Sequence, residues 1–390
     1  MSSTPSPRTP VRASNAAATD DTTRDDSAVP PVMPHPSAWQ SVQAVIGIAL
    51  AAAILYWGVP WFGETTWSAI GHHLRMLGWA SSLELFALVA FGLWLYTFAL
   101  TGSIPGLGHV KALIVNVAGS AAGNLLPGGG AAGVAATYLM LRSWGFRAAA
   151  ISTSVIVTGV WNLVARLAMP LLGVALLSST DALPKGVRRG ALTGGIVGLV
   201  VIGVFVGVLL SPGLTQRLGA WLDRHVGAWL RRRRPGADIE AALVDQRRRM
   251  AGVTAHGWAP MTLGVVGYLA VYFVLFWRTM EAVGVEMPLS KLFAAYAVGR
   301  LLTAVGVTPG GLGVTEAGTL AVLVAWGADK PAAAAGVLVF ALFTHLLEVP
   351  LGALGWLAWW LMPKQTVLDA AAASSESSLS GAAKVDENRR

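Results

Sequence analysis

The chain has 390 residues, of which 54% are hydrophobic and 12% charged, and carries a net charge of +8. A mean hydropathy of +0.60, with several apolar runs of about 20 residues or more, places it among polytopic membrane proteins rather than soluble domains. Cysteine is absent, which excludes disulfides, thiolate nucleophiles, Cys-ligated zinc and iron–sulfur clusters.

In chain order, residues 1–38 are rich in Pro, Ser, Thr, Ala and Asp without a long apolar run, and read as a disordered tail rather than a signal peptide. Residues 39–362 form the membrane region, and the polar residues 363–390 read as a second disordered tail. Full spans are expected at about 39–59, 83–101, 148–178, 188–211, 259–281 and 331–361. Tryptophans gather near segment ends (Trp57, Trp61, Trp67, Trp79, Trp258, Trp356, Trp359 and Trp360), as interfacial anchors do.

Orientation follows from Arg and Lys in loops. The segment 212–258 holds Arg217, Arg224, Arg231 to Arg234 and Arg247 to Arg249 against four carboxylates, so it is expected in the cytoplasm. Counting spans outward puts both termini on that side, although Lys185, Arg188 and Arg189 then fall outside. The basic charge reads as a topology signal with attraction to anionic lipid, not as a nucleic-acid surface.

Two short interrupted segments break the pattern. Pro127-Gly128-Gly129 opens a stretch ending at Trp144-Gly145, and Pro309-Gly310-Gly311 opens one ending at Trp326-Gly327. Ala135/Ala317, Thr137/Thr319 and Leu141/Leu323 also match between them, Lys111 and Lys291 precede the two breaks, and Pro170 and Pro350 follow them. The flanking stretches (111–126, 128–141, 291–307 and 310–326) are short: about 16 residues span roughly 24 Å, less than the roughly 30 Å hydrocarbon core. Each pair therefore reads as a re-entrant hairpin, with tilted full spans as the alternative. The expected fold is an all-α polytopic bundle of two inverted repeats, 83–178 and 259–361, each a span, a Pro/Gly-broken hairpin and a long span containing proline. Such repeats place a site at the midplane.

A helix restarting after Pro-Gly-Gly exposes backbone N–H groups and its positive end, a seat for phosphate or carboxylate. Pro127, Gly128, Gly129, Pro309, Gly310, Gly311 and Gly313 are therefore candidate substrate-binding positions. Intramembrane ionisable groups are costly and point to function. Arg300 lies seven residues into its half-helix and suits an anionic head group. Arg166 and Glu348 occupy corresponding long-span positions, either in the site or as a salt bridge between repeats. Glu316 falls in the first turn after the second break, either stabilising that helix end or binding a cation, proton or cationic group. Asn124, Asn162, Thr315 and Thr319 either line a cavity or bond between helices. Arg142 and Arg278 read as interfacial side chains. His345 has no partner His at ligand spacing, so neither a metal nor another cofactor is expected. No HExxH, P-loop, Gly-x-Ser-x-Gly or paired-carboxylate motif occurs, so no enzymatic activity is expected.

The run Pro309-Gly310-Gly311-Leu312-Gly313-Val314-Thr315-Glu316-Ala317 resembles the hallmark of the lysylphosphatidylglycerol synthase transmembrane, flippase-like family. Asn124-Leu125-Leu126-Pro127-Gly128-Gly129, with Tyr138, Leu141 and Arg142, resembles its first-repeat counterpart, though Ala131, Ala132 and Val134 stand where many members carry an acidic residue. The resemblance covers about 40–360. It implies an inner-membrane protein that moves lipid between leaflets. Only 28 residues follow the last span, so translocation without the fused synthase is the expectation. The substrate would be an anionic amphiphile, a phospholipid or a polyprenyl-phosphate-linked lipid. The alternative is a non-transporting scaffold that recruits a separate lipid synthase or glycosyltransferase through loop 212–258.

Overall fold

The computed structural model describes residues 66–125, 129–177, 239–303, 308 and 311–364, with single positions between 56 and 61 and between 196 and 224. The expected tails 1–38 and 363–390, the spans 39–59 and 188–211, and residues 225–238 of loop 212–258 lie wholly or largely outside these residues. Among the described residues the protein is all-helical. Its elements are α1 (Trp67–Leu74), α2 (Trp79–Ser103), α3 (His109–Leu125), α4 (Gly130–Ser143), α5 (Ala148–Leu177), α6 (Ile239–Ala282), α7 (Leu289–Leu302), α8 (Val314–Ala325), α9 (Lys330–Ala341), a π-helical turn (Leu342–Leu346) and α10 (Glu348–Leu361).

Four stretches are long and apolar enough to cross a membrane: Trp79–Ser103, Ala148–Leu177, Leu243–Ala282 and Lys330–Leu361. They coincide with four of the expected spans, and their outward faces carry exposed Phe86, Phe91, Leu263, Val266, Leu354 and Leu357. Trp79, Trp258 and Trp360 are exposed at or near the ends of the apolar stretches. The protein is membrane-embedded. Between the long helices lie the short pairs α3–α4 and α7–α8, so the order long, short, short, long occurs twice.

Two boundaries differ from the sequence reading. Residues 239–258, expected as loop, are the start of α6, whose 44 residues extend about 66 Å. Ala, Leu, Gln, Arg and Met dominate this stretch, all good helix formers; its charge said nothing about its backbone. Gln246 docks the extension on α5 by donating from Nε2 to Thr153 Oγ1 at 3.1 Å. Helix α7 closes at Leu302 rather than 307, where the Thr303 hydroxyl turns back to donate to the Arg300 carbonyl at 2.6 Å, competing with helix continuation.

Glycine sets the packing. Helices α2 and α6 run antiparallel along their length: Gly102 meets Gly257, Ala99 meets Gly264, and Gly92 receives the Tyr272 ring. A Cβ added at Gly257 would lie 2.0 Å from the Gly102 carbonyl oxygen, and one at Gly264 2.4 Å from the Ala99 nitrogen. Close approach of this kind is how helices gain van der Waals energy where lipid removes the hydrophobic drive. At one end of the seam Arg278 reaches back to Glu84, with Nε–Oε1 at 2.6 Å and Nη2–Oε2 at 3.0 Å, and also binds Glu281. Arg278 is thus a two-helix clamp rather than a free interfacial side chain. Helix α3 packs antiparallel on α10 through Gly352 and Gly355 against Ala121, Val117 and Ile114, and α7 packs on α5 through Gly173 against Ala294.

Both short pairs close with the same contact. Gly119 of α3 faces the Thr137 hydroxyl of α4, and Gly299 of α7 faces the Thr319 hydroxyl of α8. Each threonine donates to the carbonyl four residues back, Gly133 and Thr315. Both pairs also end alike. Gly145 (φ 83°) and Gly327 (φ 88°) follow Trp144 and Trp326 in Schellman caps, with Phe146 N–Leu141 O at 3.1 Å and Ala328 N–Leu323 O at 3.0 Å.

The α2–α6 seam yields a test. Gly257→Ala is expected to destabilise the protein by about 1–3 kcal/mol, as overpacking does. Gly252→Ala, where a Cβ meets nothing within 4 Å, is expected to be neutral or stabilising. Thermal unfolding of the purified variants measures both.

Candidate functional site

Residues beside the two breaks (Asn124, Gly129, Thr308 and Gly311), helices α2, α3, α5 and α6, and the π turn line a cavity of about 700 Å³. Of the residues singled out from sequence, Asn124, Gly129, Asn162, Arg166, Arg300, Gly311 and Glu348 line it. Pro127, Gly128, Pro309 and Gly310 lie outside the described residues. Gly313 and Glu316 do not line this cavity.

The reason lies in the two restarting helices. Helix α8 begins after Gly313 (φ 85°), and the Glu316 carboxylate turns back to accept from the Gly313 N–H at 2.6 Å. Glu316 is 3% exposed and its other oxygen lies 3.9 Å from His345 Nδ1. Its own helix end therefore occupies the carboxylate. Helix α4 begins after Gly129 (φ 37°) with no side-chain cap and no acidic residue in its first turn, and Gly129, Gly130 and Gly133 stand on the cavity wall. One helix end is closed by carboxylate; the other presents backbone to the cavity. Thr315 and Thr319 bond within their own helix, to Gly311 O and Thr315 O.

Two arginines enter the cavity from different elements. Arg166 of α5 donates from Nη1 to Thr303 Oγ1 at 2.8 Å. Arg300 of α7 is 5% exposed, with its guanidinium carbon 5.4 Å from the Tyr296 ring centre and 5.3 Å from that of Phe340. The Tyr296 hydroxyl is fixed by the Leu269 carbonyl at 3.0 Å. Among the described residues, Nε and Nη2 of Arg300 and Nε of Arg166 have no hydrogen-bond partner. Two cation–π contacts return about 0.5–2 kcal/mol each. Desolvating a charge costs several kcal/mol, and each unmade buried bond costs about 1–3 more. The two arginines lining the cavity therefore carry buried donors that call for an acceptor.

The acidic side is set by the wide turn. Pro350 cannot donate to the carbonyl four residues before it, and just ahead of it the helix opens into a π turn closed by Leu347 N–Leu342 O at 2.8 Å. This turn and the first residue of α10 bring Thr344, His345 and Glu348 to the cavity. Glu348 accepts from Asn124 Nδ2 at 3.3 Å. The expected alternative of an Arg166–Glu348 salt bridge is not formed among the described residues: Arg166 bonds Thr303 and Glu348 bonds Asn124. Tyr96, whose hydroxyl accepts from Asn162 Nδ2 at 2.8 Å, and Tyr268 complete the wall. Tyr96, Tyr268 and Thr303 were not singled out from sequence. His345, set aside there as a metal ligand, stands three residues ahead of Glu348 and so on one helical face with it.

Residues 44–352 match the family described as the lysylphosphatidylglycerol synthase TM region. The chain belongs to that family. Every residue lining the cavity falls inside the matched region, so the pocket is built wholly from the lysylphosphatidylglycerol synthase TM segment. No curated protein matches the chain.

Glu316 provides a separate test of the closed helix end. Glu316→Ala strands a buried N–H at Gly313 and is expected to lower stability by about 1–3 kcal/mol. Glu316→Gln, which can still accept that bond, is expected to unfold close to wild type. Thermal melts in detergent distinguish them.

Proposed function

We propose that this protein translocates an anionic amphiphile, a phospholipid or polyprenyl-phosphate-linked lipid, between leaflets of the cell membrane without chemistry of its own. The observation that carries this reading is the convergence of Arg166 and Arg300, with unbonded guanidinium N–H groups, on one cavity that also holds the uncapped start of α4. A phosphate oxygen is the acceptor such a set recognises best: arginine gives geometrically matched, charge-assisted bonds, and a helix start adds backbone N–H groups and a positive end. Acyl chains would stay in lipid while the head group occupies the cavity.

The route across the membrane would come from two inverted repeats, 83–178 and 259–361, exchanging equivalent conformations. Support comes from the antiparallel seam between α2 and α6, which occupy the same place in the two halves. The matching Gly–Thr contacts in the α3–α4 and α7–α8 pairs point the same way. With 17, 14, 14 and 12 residues, those helices reach about 26 Å at most, which favours re-entrant hairpins. In this reading both termini and the Arg-rich segment 212–258 face the cytoplasm, and anionic membrane lipids are the partners.

The decisive experiment is leaflet-resolved transfer of labelled anionic lipid in proteoliposomes. Arg300→Gln is expected to lower apparent lipid affinity about 10- to 100-fold, the loss of one or two charge-assisted bonds, and Arg166→Gln to lower it less. Transfer by Arg300→Gln at the wild-type rate across lipid concentrations would sink the proposal.

A further inference from the structure

The charges around the cavity do not accommodate an added anion without a change elsewhere. With both carboxylates ionised, the guanidinium charges of Arg166 and Arg300 are matched by Glu348 on the wall and Glu316 behind Arg300. A bound phosphate would add an unmatched negative charge inside a low-dielectric region, where such an imbalance costs several kcal/mol. Glu316 is committed to the Gly313 N–H. Glu348 faces the cavity with only neutral donors beside it: Asn124, bonded at 3.3 Å, with the Ser120 and Tyr272 hydroxyls as further neighbours. Asn124 can keep that bond with the neutral acid, whose carbonyl oxygen still accepts.

We propose that Glu348 is a proton-binding site, so that the site takes up one proton from water with each anionic head group and releases it when the head group leaves. This inference rests on the anion-binding reading above and adds its coupling. Arg300 of α7 is the cation acting on Glu348, Arg166 of α5 lines the same cavity, and His345 stands on the same segment. Tyr268 and Tyr272 of α6 are its other titratable neighbours. Helix α3 contributes Asn124, a neutral donor, and α8 contributes Glu316, already bonded to its helix end. A lipid and a proton would then occupy the cavity together, and a transmembrane pH difference would bias the direction of transfer.

The test uses the full-length purified protein and a soluble dioctanoyl phospholipid with one phosphate charge. Titration calorimetry in two buffers of different ionisation enthalpy reads proton uptake with binding. Wild type is expected to take up about one proton per lipid, its affinity falling with rising pH by up to about tenfold per unit. Glu348→Gln, which mimics the protonated acid and preserves the Asn124 bond, is expected to bind without uptake and with an affinity independent of pH. At the alkaline end it should bind more tightly than wild type. Binding by wild type with no proton exchange overturns the coupling while leaving the anion site standing, as does wild-type uptake in Glu348→Gln. Absence of lipid binding altogether removes the anion site and this inference with it.

Discussion

A helix interrupted inside a membrane-embedded bundle leaves N–H and C=O groups that need partners from the protein, and much of this architecture supplies them. The short helices α3, α4, α7 and α8 are held against each other and the long helices by glycine contacts close enough that a methyl group would collide with backbone or side chain at several of them. The far ends of α4 and α8 close with matching Schellman caps that return carbonyls to backbone N–H groups. At the breaks the devices differ: a carboxylate closes α8, whereas α4 opens on the cavity.

The order of long and short helices recurs, but the charges do not. Arg166 reaches from α5 to Thr303 after α7, and Asn124 reaches from α3 to Glu348 at the start of α10. Each link joins a long helix of one half to the first short helix of the other, yet one carries a cation and the other an anion. Arg300 likewise has Ser120 at the equivalent place, by the Lys111/Lys291 offset. A pocket built this way keeps two matched frames of helices while both arginines, Arg166 and Arg300, line one cavity.

Much of this was legible in the residues. Hydropathy gave the four long helices, and the repeated Pro-Gly-Gly and Trp-Gly pairs located both interrupted segments and their caps. Arg166, Arg300, Asn124 and Glu348 stood out because ionisable and amide groups in apolar runs are few. What escaped has a physical reason in each case. The helical start of α6 was hidden because charge density reports topology, not backbone conformation. Of the two readings open for Arg166 and Glu348, the salt bridge is not formed among the described residues, because nearer neutral groups, Thr303 and Asn124, take a bond from each. Tyr96 and Tyr268 resemble any aromatic in an apolar helix until packing turns them inward. The π turn has no composition of its own; Pro350 marked an irregularity without revealing its form.

The backbone-to-backbone fit of α2 on α6 also restricts traffic. Where Gly102 and Gly257 approach too closely to admit even one methyl group, no hydrocarbon tail can slip through, and the Gly352 and Gly355 contacts shut the α3–α10 boundary in the same way. Any lipid with its polar end in the cavity must trail its chains past a different flank of the bundle. Those glycines therefore act as a wall as much as a weld.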